Sequence, residues 1–223
     1  MKLYYSPGAC SLSPHIALHE AGLKFEHVLA STKTHQLADG TDYYTINPKG
    51  YVPLLEFEDG TRLTEGPAIV QWIADQVPEK KLAPPAGTMA RYRLQEWLNF
   101  ITAEIHKASG VLFNPAMPEE AKAIYRTKLN ERYAYVDKQL EGKQFLMGDD
   151  FTVADCYLFV VSNWAKPLNV DLSPYKNVGT YLQRIAARPT VQAAMIHAAV
   201  CTLKRSEERR VGKECRSRWS PYH

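Results

Sequence analysis

The hydrophobic grammar of this chain changes once, near residue 77, and that change limits the fold more than any other feature. From Met1 to about Gln76, short β-prone runs alternate with helically spaced ones, the signature of alternating strands and helices. Lys2 to Tyr5 is a β-prone run broken by Ser6, Pro7 and Gly8, and Ser11 to Ala21 then carries apolar residues at helical spacing and stops at Gly22. Phe25 to Ala30 reads as a second strand. Val52 to Phe57 and Thr61 to Leu63 flank Asp59-Gly60, a tight-hairpin signal. A helix follows from Gly66-Pro67, where proline suits a first helical turn. With a short helix in the polar stretch around Asp39, Gly40 and Asn47-Pro48, the order is βαβαββα. The run VPEKKLAPPAG has no apolar period and reads as an exposed linker. Beyond it the pattern is helical, over Met89 to Leu112, Glu119 to Glu141, Val153 to Trp164 and Val178 to Ala187. The chain is therefore expected to hold an α/β domain at 1–77, a linker at 78–87 and an all-α domain at 88–204. Thr152 and Asp155 are spaced to cap the third of these helices reciprocally.

Several classes are disfavoured at once. No run of eighteen apolar residues and no signal-type h-region is present in the sequence, so a cytoplasmic protein without a membrane partner is expected. Cys10, Cys156, Cys201 and Cys215 form neither a CxxC pair nor a disulfide framework, which suits a reducing compartment. From Arg205 the chain loses its periodicity, and its codons can be read in frame as the start of a short-read sequencing adapter. We expect 205–223 to be translated adapter fused to a truncated gene, the rival being a natural basic tail. Those residues hold 6 of the 27 Lys and Arg and 3 of the 24 Asp and Glu, so the formal charge of +3 is wholly theirs. Nothing basic remains to suggest nucleic acid.

Cys10 falls just past the first strand and at the start of the first helix, where free N–H groups and the helix dipole favour a thiolate. A small core cysteine is the competing reading. With no second cysteine within three residues, its natural product would be a monothiol mixed disulfide. Val52-Pro53 begins a strand; a cis bond there would free backbone groups for an extended peptide, whereas an edge proline would do nothing. Thr64-Glu65-Gly66-Pro67 joins strand to helix, where N–H groups suit a carboxylate and Glu65 an ammonium; dipole complementation alone is the alternative. Asn99, Ala103 and His106 fall at i, i+4 and i+7 beside Lys107, which implies one shared face, either a ligand face or a solvated stripe. His15 and His19 are a helical i, i+4 pair without a third ligand in view, so no metal is expected. GxGxxG, phosphate-loop and GxSxG patterns are absent from the sequence, which lowers nucleotide-binding and serine-hydrolase readings.

Taken together, KLYYSPGACSLSPHIAL, NPKGYVPLLEFEDGTRLTEGPAIVQWIAD, EWLNFITAEIHK and FTVADCYLF resemble the glutathione transferase family, its bacterial beta class above all, over Met1 to Lys204. That resemblance implies a thioredoxin-like N-terminal domain holding glutathione, a helical domain holding a small hydrophobic electrophile, and a homodimer. It gives Cys10 the position facing the glutathione sulfur, Val52 the backbone pairing with the cysteinyl unit, and Pro53 the cis-proline. Glu65 and Gly66 take the γ-glutamyl end. Asn99, Glu104, His106 and Lys107 take site-lining positions, some reached from the partner subunit. His35 stands where relatives usually carry a lysine for the glycyl carboxylate, with Lys33 as its substitute, and Ala103 stands where a polar residue can occur. Tyr4 and Tyr5 lie near the thiol position, though Cys10 ranks first. The implied reaction is conjugation, with His106 as a second catalytic residue; a thiol oxidoreductase and a non-catalytic binding protein on the same fold are the alternatives.

Overall fold

The computed structural model describes residues 1–196; the expectation for 205–223 lies outside the described residues. Four strands, β1 (Lys2–Tyr5), β2 (Glu26–Leu29), β3 (Leu54–Glu56) and β4 (Arg62–Thr64), form one sheet in the order β2-β1-β3-β4. β1 runs parallel to β2, and β3 is antiparallel to both β1 and β4. Alternation along the strands divides the side chains between two cores. Leu3, Tyr5 and Leu55 join the large core under the helices, while Tyr4 and Leu54 pack on the other face with Tyr43. Between β2 and β3 the expected second helix is only a single 3-10 turn, Tyr43–Thr45, initiated by the Asp42 carboxylate accepting from the Tyr44 N–H at 2.9 Å.

Helices α1 (Leu12–Ala21) and α2 (Gly66–Asp75) pack together against the sheet. Gly22 ends α1 in the left-handed region, φ 71°, and returns its N–H to His19 O at 3.1 Å, the closure glycine makes without a Cβ penalty. The second half contains α3 (Met89–Phe100), a π-helical segment (Ile101–His106), α4 (Lys107–Phe113), α5 (Glu119–Gln139), α6 (Val153–Ser162) and α7 (Lys176–Ala186). The expected long helix from Met89 is thus continuous but carries a π insertion.

The two halves share one core. α6 is buried along its length and packs against both α1 and α2. Its start is held by the expected Thr152–Asp155 pair: Asp155 Oδ2 accepts from the Thr152 N–H at 2.8 Å, and Oδ1 accepts from Leu146 N–H at 2.9 Å and Tyr181 O–H at 3.1 Å. Burial pushes the Asp155 carboxyl up, against the hydrogen bonds from Leu146, Thr152 and Tyr181 that favour its anion. On α1, Glu20 accepts from Arg188 Nε at 2.6 Å and Thr190 Oγ1 at 2.5 Å, which ties the helix that follows the candidate thiol to the far end of the helical half. The segment expected to be an exposed linker is anchored too: Leu82 is buried and its carbonyl accepts from Val153 N–H at 2.9 Å. A leucine inside a proline-rich run is enough apolar surface to pin such a segment down. Among the described residues no helix is long and apolar enough to cross a membrane.

Candidate active site between the two halves

A cleft of about 470 Å³ opens where the turn after β1 faces the π-helical segment. Its α/β wall begins with Cys10, one residue before the helix cap Ser11. Ser11 holds the turn, donating from Oγ to Ser6 O at 3.2 Å and accepting from Ser6 N–H at 3.1 Å. The Cys10 thiol donates to Val52 O at 3.4 Å. Burial pushes that thiol up to about 11, helped by the charge of Glu65, and outweighs the opposing Cys10 and Ser11 N–H groups and the Lys107 charge. The expectation that the helix terminus makes a resting thiolate is therefore corrected: a terminus worth about 1 kcal/mol loses to desolvation.

The Val52-Pro53 bond is cis, and both residues line the cleft with Glu65 and Gly66. Glu65 sits immediately before α2 with φ 69°, a left-handed backbone that a side chain seldom adopts. Its carboxylate accepts from Lys49 Nζ at 2.6 Å, and Lys49 also donates to Thr64 Oγ1 at 3.1 Å. This exposed pair and Lys107 are the charges at the mouth.

On the helical wall, His106 Nδ1 lies 2.5 Å from Tyr157 Oη, and its ring stands 5.0 Å from that of Trp164. Burial lowers the imidazole to about 4, with Lys107 adding to the shift and Glu65 opposing it. Burial also raises the Tyr157 phenol, so it keeps the proton it can donate to His106 Nδ1. Trp164 Nε1 donates to Gly8 O at 2.9 Å and bridges the two walls, with Phe113 edge-on against it at 5.5 Å.

Of the residues singled out from sequence, Cys10, Val52, Pro53, Glu65, Gly66, His106 and Lys107 meet at the cleft. Asn99, Ala103, Glu104, His35, Lys33, Tyr4 and Tyr5 do not line it. Asn99 and Ala103 are exposed and Glu104 accepts from Arg132 Nε at 2.7 Å on α5. Thr102, one turn before His106, lines the cleft in place of Ala103; the stretch between them is π-helical, with Lys107 N–H donating to Thr102 O. His35 is held outside the cleft, its Nδ1 3.1 Å from Gly50 O and its ring 4.6 Å from Tyr44. Gly50, at φ 69°, is required there, because a Cβ would sit 2.6 Å from the Tyr44 ring. Lys33 is likewise not part of the lining; Lys49 is. Sequence reasoning missed Lys49, although it is the lysine between Asn47-Pro48 and Val52. It also missed Tyr157, which lies two residues past the cap acid Asp155 on an apolar helix and offers no polar period to mark it.

Fold and cleft define a protein with a mixed-sheet domain and a helical domain that share one cleft, and comparison gives the family. Residues 8–76 match the glutathione S-transferase N-terminal domain and residues 100–189 the C-terminal domain. The chain belongs to the glutathione S-transferase family. It is 44% identical to glutathione S-transferase GstA of Escherichia coli O157:H7 over 195 residues, covering 87% of this chain and 97% of that protein. Among solved structures, BphK, a bacterial glutathione S-transferase in a ternary complex, superposes with TM-score 0.88 at 53% identity, covering 89% of this chain and all of that one. A bacterial beta-class enzyme from Sphingomonas chungbukensis gives TM-score 0.86 at 46% identity, over 89% of this chain and 98% of its own. A sphingomonad glutathione S-transferase complexed with glutathione gives TM-score 0.86 at 44% identity, over 89% and 99%.

Proposed function

We propose that this glutathione S-transferase works as a cytoplasmic homodimer that adds the thiolate of bound glutathione to small hydrophobic electrophiles, with the 470 Å³ cleft holding both. The observation that carries this reading is the meeting of Cys10 and His106, from opposite walls, at one cavity. Glu65 takes the glutathione ammonium and the N–H groups at the start of α2 take the γ-glutamyl carboxylate. Val52 offers main-chain atoms to the cysteinyl unit, and Lys49, rather than His35 or Lys33, pairs with the glycyl carboxylate. The aromatic edge of Phe113 and Trp164 holds the electrophile. Asn99, exposed near the end of α3, and Ala103, exposed in the π segment, are assigned with Glu104 to the neighbouring subunit's site.

Chemically, the glutathione thiol must lose its proton beside an electron-poor carbon. His106 is uncharged at neutral pH and too weak a base to keep that proton. Its better role is as a donor: with Tyr157 donating to Nδ1, Nε2 carries the hydrogen and points it at the forming thiolate. The thiol proton passes to water, sulfur bonds carbon, and the leaving group departs with its electron pair. Cys10, protonated at rest, turns its S–H from Val52 O to the same sulfur and becomes a nucleophile only toward oxidised glutathione, forming a mixed disulfide as its proton goes to the departing thiolate and one glutathione is released.

Calorimetry of glutathione binding with wild type and Cys10→Ala, followed by mass spectrometry after oxidised glutathione, tests the assignment. Saturable binding in both and an adduct confined to wild-type Cys10 is expected. Absence of binding would return the chain to the non-catalytic alternative.

A further inference from the structure

Away from the glutathione cleft, α1 and β2 bring three imidazoles together. His15 and His19, one helical turn apart, meet His27 from the edge strand, and a ligating nitrogen from each lies within 4.8 Å of the others. His15 Nε2 is 2.7 Å from His27 Nε2 and 3.2 Å from His19 Nε2. An imidazole nitrogen carries either one proton or one in-plane lone pair, so it can serve one strong hydrogen bond along its axis. Two ring nitrogens converge on this one. A single ion between them satisfies all three lone pairs together; a tetrahedral zinc site with bonds of about 2.0–2.1 Å sets its nitrogens roughly 3.3 Å apart, so His19 stands at that spacing from His15, at 3.2 Å, while His27, at 2.7 Å, draws back by roughly half an ångström to admit the ion. The surroundings also suit a site. Phe25 packs edge-on to His15 and His19, each at 5.6 Å, which fixes the rings. His15 is buried while His19 and His27 are half-buried, which gives an ion a way in.

We propose that His15, His19 and His27 form a binding site for a zinc-type divalent ion, with water at the fourth position. The sequence shows no evident third ligand beside His15 and His19 and so leads to the expectation of no metal; β2 brings His27, eight residues beyond His19. Glu20 is not the fourth ligand, since Arg188 and Thr190 occupy it. The ion would clasp α1 to β2. This inference stands apart from the glutathione reading, because none of the three residues lines the cleft.

The test uses the full chain, freed of metal by a chelator and dialysed. Zinc binding is followed by calorimetry and cobalt(II) binding by visible absorption, for wild type, His19→Gln and His27→Gln. One zinc per chain and a tetrahedral cobalt spectrum are expected, with affinity falling about 100-fold or more in either variant, while glutathione binding stays unchanged. Absence of saturable zinc binding, or equal binding by both variants and wild type, overturns the site and leaves a hydrogen-bonded imidazole cluster. If a variant fails to fold by circular dichroism, crystals of the zinc-soaked wild type decide: an anomalous peak among the three Nε2 atoms supports the site, and a peak elsewhere or none overturns it.

Discussion

The two walls of the cleft reach the same electrical result from opposite directions. On the α/β wall burial raises the Cys10 thiol to about 11, and on the helical wall burial lowers His106 to about 4. Both groups are neutral at pH 7, and the permanent charges, Lys49, Glu65 and Lys107, stand at the mouth. Where backbone dipole and desolvation compete over one group, desolvation decides. The resting cleft is thus a neutral, preorganised frame for a charge that the ligand brings.

That pairing can be broken from either side. The largest expected effect follows Cys10→Ala, which should abolish mixed-disulfide formation with oxidised glutathione while conjugation of an aryl halide stays within about tenfold of wild type, since only a donor is lost. A comparable collapse of conjugation would mean that Cys10 is a nucleophile in that reaction as well. On the other wall, His106→Ala should lower kcat for conjugation about 100-fold, the usual cost of removing a preorganised donor, with little change in glutathione affinity by calorimetry. Lys49→Ala should weaken glutathione binding by about tenfold and leave kcat nearly alone, because an exposed cation steers and holds rather than reacts. Tyr157→Phe, the smallest change, should reduce kcat roughly threefold to tenfold by freeing the His106 tautomer.

Much of this was legible in the chain. The position of Cys10 followed from a strand broken by Ser6-Pro7-Gly8 ahead of a helical period, and the Thr152–Asp155 cap followed from spacing alone. What escaped the sequence was long-range or register-dependent. Residue spacing puts Asn99 and Ala103 on the side of His106 but does not say which subunit's cleft a helix face meets, and the two do not line this subunit's own. The pKa of Cys10 depended on how deeply two walls enclose it, which the first helix cannot reveal. His27 joins His15 and His19 only because β2 pairs in parallel with β1, and tertiary pairing of that kind has no local signature. Leu82 lies in a run whose proline and lysine content reads as linker, and one apolar side chain does not change that composition although the fold buries it.

The pH profile of conjugation sharpens the comparison further. With Cys10 near 11 and His106 near 4, neither residue should titrate between about pH 5 and 9, so one inflection in kcat/KM, belonging to the glutathione thiol, is expected. The sign for Cys10 is that of an acid raised by the fold: its thiolate fraction grows tenfold per pH unit until the pH nears 11. The most direct measurement is the alkylation rate of Cys10 against pH in the ligand-free protein, read at that residue by mass spectrometry. The account predicts a rate still climbing at pH 9 without a plateau. A plateau reached below pH 8 would show a resting thiolate and contradict it.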